Sequence, residues 1–230
     1  MNSNQSKSLK LTAIIFMGMT AAMNLLGGIG TVCAAFIKKY AIVLGVMKLR
    51  EFDYTWLYKI FMFVAIIIGI FGIRATVKLV KGGKGVFKNA LIILFIGTLA
   101  SGIHYYASMQ IRGEAAPANM KFFTNLLALI IFLVLNAPGL REKVDFSKPG
   151  GDAEKTGGGL AAIMAGLLTL TTFFWVGESH IYLGESWVND LDITLIVLGT
   201  GFLVFGLGLI TSVVLGKVRQ LKEKSAVDMS

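Results

Sequence analysis

The sequence has little of what soluble and disulfide-bonded proteins depend on. Only 15% of its 230 residues are charged, and it contains 3 prolines, 2 histidines and a single cysteine, Cys33. One thiol excludes an internal disulfide, a thiolate iron–sulfur cluster and a zinc ribbon, because each needs at least two. The low charge content excludes a water-soluble enzyme.

Apolar residues and glycine are what the sequence has in abundance. Hydrophobic residues make up 55% of the chain, and 27 glycines are typical of closely packed membrane helices. Six apolar runs are long enough to cross about 30 Å of hydrocarbon. We therefore predict an all-α membrane protein, a six-transmembrane-helix bundle forming one polytopic domain. The predicted spans are residues 11–36, 55–80, 86–108, 121–137, 158–180 and 193–215.

The basic residues predict the orientation of these spans. With the N-terminus inside, fourteen lysines and arginines lie in cytoplasmic segments and six in outer segments, and two lie within the second span. Positive charge is retained on the cytoplasmic side. We therefore predict a multi-pass protein of the cell membrane with both termini cytoplasmic. The net charge of +9 then indicates membrane anchoring, and no nucleic-acid partner is expected.

Two connecting segments have a distinct composition. Residues 40–50 mix apolar and charged side chains in a stretch too short to span, which predicts a short amphipathic helix on the outer surface. Residues 141–159 are polar and rich in glycine, which predicts a flexible inner loop.

The two histidines, His104 and His180, are the clearest candidates for a binding site. Both fall near the predicted outer ends of spans that run in the same direction. Two facing imidazoles can ligate one b-type haem, or they can line a quinone site. Arg112 in the adjoining outer segment is a candidate partner for a haem propionate or a ligand carboxylate. The structural alternative places the histidines in the headgroup layer, hydrogen-bonded to water or to a neighbouring helix.

Other signals for chemistry are weak. Cys33 and Glu178 could join the histidines in a copper or zinc site, but no close ligand spacing supports one, so metal binding stays undetermined. No acidic residue falls in the centre of a predicted span, which argues against ion-coupled transport. Asn24 and Asn125 lie deeper, and we predict that they make interhelical hydrogen bonds.

The polar loops are too short to form a soluble catalytic site, and small residues recur four residues apart on several spans. These features favour a non-catalytic accessory or anchor subunit of a larger membrane complex, redox-linked if a b-type haem or a quinone binds near the outer surface. Its expected partners are the lipid bilayer and other membrane or extracytoplasmic subunits. The alternative is a cofactor-free carrier or channel-type bundle for a small molecule or lipid.

Overall fold

The computed structural model describes residues 3–48, 50–116, 118–148, 150–172, 174, 181–182, 184–186 and 191–227. These residues form seven helices and two short antiparallel hairpins. The helices are α1 (Ser3–Phe36), α2 (Lys38–Val43), α3 (Thr55–Lys81), α4 (Val86–Arg112), α5 (Ala118–Leu135), α6 (Asp152–Leu170) and α7 (Asp192–Val227). Strand β1 (Met47–Lys48) pairs with β2 (Phe52–Asp53), and β3 (Ile181–Tyr182) pairs with β4 (Glu185–Ser186). The prediction of a predominantly helical chain is confirmed.

Five helices, α1, α3, α4, α5 and α7, are long and apolar enough to cross a membrane. The chain is thus a membrane-spanning protein by this measure. Helix α6 does not meet the same measure, and its first turn carries Asp152 and Glu154. It overlaps the predicted span 158–180, of which residues 173 and 175–180 lie outside the described part of the chain. The sixth crossing stays a prediction.

Helix α1 forms the centre of the bundle. It packs against α3, α5 and α6, while α4 packs against α3 and α5, and α7 packs mainly against α6. Small residues permit this close approach: a β-carbon at Gly72 of α3 would lie 2.8 Å from Cβ of Ala21 on α1. Van der Waals packing of this kind holds membrane helices together, because lipid tails are as apolar as the side chains.

Polar contacts show which segments share the N-terminal end of the bundle. The Lys10 ammonium of α1 donates a 3.0 Å hydrogen bond to Glu154 of α6. The Gly150 amide donates to the Lys81 carbonyl at the end of α3, at 3.0 Å. The start of α1, the end of α3 and the start of α6 therefore lie together. The ends of α1 and α4 and the start of α3 lie at the opposite end.

Two connecting segments differ from their predictions. Helix is present at residues 40–43, but residues 47–48 are strand, so the predicted helix over 40–50 is wrong in its second half. The helix ends because Gly45 adopts a φ of +69°, which a right-handed helix cannot contain. In the predicted loop 141–159, α6 begins at Asp152. Its start is capped by the Glu154 carboxylate, which accepts a 2.9 Å hydrogen bond from the Gly151 amide.

Candidate functional site

His104, on α4, is enclosed by side chains at the end of the bundle opposite the N-terminus. His104 is only 5% exposed to solvent. The imidazole stacks on the Phe61 ring, with centroids 4.2 Å apart, and meets the Tyr58 ring edge-on at 5.6 Å. Tyr58 in turn is hydrogen-bonded to Ser108, with 3.1 Å between their oxygens. These contacts from α3 fix the orientation of the imidazole.

Lys121, on α5, is the polar partner of His104. It is 1% exposed, and its Nζ lies 3.0 Å from Nδ1 of His104. The lysine stem crosses α1 at Gly27, where an added β-carbon would lie 2.2 Å from Cδ of Lys121. Only glycine at residue 27 therefore leaves room for this side chain. Three helices, α1, α4 and α5, together position the amine.

The geometry of this pair limits its charge. Two cations 3.0 Å apart in a buried site would repel each other strongly. An ammonium only donates hydrogen bonds, so with Lys121 charged the Nδ1 atom of His104 must accept and its ring proton must lie on Nε2. Among the described residues, no carboxylate pairs with Lys121. A buried ionisable group of this kind within a membrane-spanning helix marks a candidate functional site.

A chain of buried amides extends from Lys121 towards the middle of the bundle. Asn125 donates a 2.7 Å hydrogen bond to the Lys121 carbonyl. Asn24 of α1 donates to Oδ1 of Asn125 at 3.2 Å and to the Thr20 carbonyl at 2.8 Å. The predicted interhelical hydrogen bonds of Asn24 and Asn125 are thus confirmed, and the two residues are partners of each other.

A small cavity adjoins the pair. It has a volume of about 10 Å³, and Asn24, Ser101, His104 and Lys121 supply its polar lining. This is room for about one water molecule. The arrangement can hold one water molecule, or one oxygen atom of a ligand, against an amine and an imidazole that share a proton.

The structure describes two of the other predicted site residues, Arg112 and Cys33, but not His180 or Glu178. Arg112, the last residue of α4, donates 3.0 Å hydrogen bonds to the carbonyls of Leu44 and Ala116, so it is held by backbone. His180 and Glu178 lie outside the described residues, and the pairing of His104 with His180 stays a prediction. Cys33 is buried, and its thiol donates to the Gly30 carbonyl. Within the described part of the chain, no cluster of three metal-ligating side chains occurs.

Lys121 is the site residue that sequence reasoning missed, because counting basic residues placed it in an outer segment. A signal was present in the spacing of α5. Residues 121, 125, 128 and 132 follow the three-to-four-residue period of one helix face, and all four are fully or almost fully buried. A lysine on the same face as a buried asparagine was the clue to its burial.

The fold and the site define a helical membrane-spanning protein with a buried histidine–lysine pair. Comparison with protein-family models, with curated proteins and with solved structures gave no match to this chain. Likeness to known proteins therefore assigns neither a family nor a function.

Proposed function

We propose that this chain is a non-catalytic subunit of a larger membrane complex and that it docks to its partner through α7. The supporting observation is the distribution of glycines on that helix. Gly199 and Gly206 face α6, where added β-carbons would lie 3.1 Å from the Gly166 carbonyl oxygen and 2.6 Å from that of Gly159. At Gly201 and Gly208 an added β-carbon would meet no atom of the described residues within 4 Å.

The two sets of glycines point in roughly opposite directions. Gly201 and Gly208 each lie two residues beyond a glycine that packs on α6, which is about 160° around the helix. Each helix-interior glycine costs about 1 kcal/mol relative to alanine. On the α6 side, close backbone packing offsets this cost. On the opposite face, a partner helix approaching Gly201 and Gly208 would offset it in the same way.

The degree of burial of α7 supports the same proposal. Only 17% of its most apolar segment is buried within this chain, against 67% for α1. The remaining surface must face lipid or protein. We propose that lipid covers most of it and that a partner helix covers the strip along Gly201 and Gly208.

In the proposed topology the chain crosses the cell membrane six times, with α6 as the sixth crossing and both termini in the cytoplasm. The excess of basic residues in the inner segments supports this orientation. The contacts of Lys10 with Glu154 and of Lys81 with Gly150 support the order of the crossings, because they place three of the segments assigned to the inner side at one end of the bundle.

A more specific form of the proposal is a redox-linked subunit that binds a b-type haem or a quinone. Its haem form would need His104 and His180 to hold a b-type haem, with Arg112 near a propionate. His104 could then act only through Nε2, because its Nδ1 lies 3.0 Å from the Lys121 amine. Its quinone form needs a carbonyl oxygen beside His104 and Lys121, and the cavity of about 10 Å³ there has room for that oxygen but not for the ring that carries it, so neighbouring side chains would have to move.

Gentle detergent extraction followed by mass determination tests the subunit proposal. We expect a complex heavier than this chain alone, and we expect Gly201→Leu with Gly208→Leu to release the chain from it. Leu207→Phe is the matched control, because Leu207 is 56% exposed on another face of α7. A lone monomer with turnover of its own would overturn the proposal.

A visible spectrum of the same preparation separates the cofactor versions. The haem form requires reducible Soret and alpha bands that His104→Ala abolishes, while the quinone form and the cofactor-free carrier give a colourless protein. Extraction and chromatography of bound quinone, from the wild type and from Lys121→Met, then distinguish those two.

A further inference from the structure

An apolar groove of about 230 Å³ runs along the bundle between α3 and α7. Its floor consists of small residues of α1 and α6, among them Ala22 and Ala162, and Val77 and Phe205 contribute to its walls. The floor is narrow because α1 and α6 are in close contact: an added β-carbon at Gly18 would lie 2.5 Å from Cβ of Ala161. The groove is therefore a built feature of the helix packing.

The length of the groove matches one leaflet of a bilayer. Its lining on α3 extends over nine residues, from Ile73 to Lys81, or about 12 Å of helix. Half of the hydrocarbon core of a membrane is about 15 Å. The groove thus extends over most of the depth of one leaflet and ends near the polar surface.

The lining of the groove is almost entirely apolar. Apart from Thr76 and Lys81, the described residues that line it are aliphatic, aromatic or glycine. The Thr76 hydroxyl donates its hydrogen bond to the Gly72 carbonyl of its own helix. The occupant must therefore be apolar over most of its length, as a hydrocarbon chain is.

Of the described residues that line the groove, the one with a charged side chain is Lys81, at its end. Its side chain is exposed, and its backbone carbonyl is fixed by the amide of Gly150. Within the described residues no carboxylate forms an ion pair with it. Basic side chains between helices at the cytoplasmic surface bind the phosphates of anionic lipids.

We propose that this groove binds one acyl chain of an anionic phospholipid, whose phosphate pairs with Lys81. The apolar floor and walls hold the chain, and the lysine selects the headgroup. This lipid site adjoins the proposed docking strip, because Phe205 of the groove wall follows Gly201 by four residues and precedes Gly208 by three. It does not depend on the existence of a partner subunit.

Lipid retention tests the site on the whole chain. The purified protein is reconstituted in bilayers of equal parts phosphatidylglycerol and phosphatidylcholine, and the lipid that it retains is measured by native mass spectrometry. We expect retained phosphatidylglycerol to exceed phosphatidylcholine, and Lys81→Gln to lower the retained phosphatidylglycerol about fivefold, as expected for one basic residue at a membrane surface. Lys59→Gln, at the other end of α3, should change nothing. Equal retention of the two lipids, or no effect of Lys81→Gln, would overturn the proposal.

Filling the groove tests the acyl-chain contact. Ala162→Phe should abolish retention of both lipids, whereas Met164→Phe should not, because Met164 is 36% exposed on the same helix and does not line the groove. A photo-crosslinking phenylalanine at residue 77 gives a second readout that needs no substitution in the floor. We expect a mass increase equal to one phospholipid there. A polypeptide adduct at residue 77, or equal retention in the two phenylalanine variants, would contradict the lipid site.

Discussion

Gly27 is where the buried position of Lys121 can be tested energetically. A β-carbon at residue 27 would lie 2.2 Å from Cδ and 2.7 Å from Cγ of Lys121. These contacts force the lysine stem to move, and overpacking of this kind costs about 1–3 kcal/mol. The displaced amine also loses its 3.0 Å contact with His104, at a further cost of about 1 kcal/mol. We expect Gly27→Ala to lower the free energy of unfolding by about 2–4 kcal/mol.

A double-mutant cycle shows whether Lys121 causes this loss. In a Lys121→Ala background the clash is absent, so Gly27→Ala should be neutral or should stabilise the chain by up to about 1 kcal/mol through helix propensity. The free energies are measured by titration with a denaturing detergent in mixed micelles, and the coupling energy should be about 2–5 kcal/mol. Gly208→Ala supplies the baseline, because no atom of the described part of the chain lies within 4 Å of its added β-carbon. An equal cost of Gly27→Ala in both backgrounds would refute the position of Lys121 described above.

Three further predictions concern the ends of the bundle and its α6–α7 contact. Burial raises the pKa of the Glu154 carboxyl, but hydrogen bonds from Lys10 and from the backbone outweigh burial and hold that pKa below its ordinary value of 4.5. The stability that this lowered pKa contributes is complete above about pH 4.5 and is lost as the pH falls through the folded pKa. The melting temperature should therefore fall more steeply below pH 4.5 in the wild type than in Glu154→Gln. Parallel plots of melting temperature against pH would show that the contact between Lys10 and Glu154 contributes nothing. Gly206→Leu should lower the free energy of unfolding by about 1–3 kcal/mol, because the new side chain overpacks against α6. Gly208→Leu should leave the thermal stability of the isolated chain unchanged. In sealed cells, Ser225→Cys should react with a membrane-impermeant maleimide only after the cells are opened, and labelling from outside would refute the cytoplasmic C-terminus.

The membrane-spanning helices were predictable from sequence because lipid exposure demands long apolar runs whatever their partners. The contact between Asn24 and Asn125 was predictable in kind, because a buried amide must find a hydrogen-bond partner. Its two members could not be paired from sequence, since they lie on helices that are far apart in the chain.

Lys121 could not be placed from charge counting, which assigns every lysine near a span end to the surface. Its burial depends on Gly27 and His104, which belong to two other helices. The prediction of a helix over residues 40–50 was wrong in its second half for a local reason. A mixture of apolar and charged residues suits an interfacial helix, and the turns at Gly45 and Arg50, with φ near +69° at both, leave little trace in so short a stretch.

Cross-linking in native membranes tests most directly the claim that α7 docks a partner through Gly201 and Gly208. The chain has one cysteine, Cys33, which is buried, so Gly208→Cys in a Cys33→Ala background presents a single reactive thiol. With a short bifunctional maleimide–amine reagent, we expect an adduct to a second, different polypeptide from residue 208. The same reagent should give little adduct from Leu207→Cys, whose side chain faces another direction. No adduct from residue 208, or equal adducts from residues 207 and 208, would contradict the docking strip and the subunit function proposed for this chain.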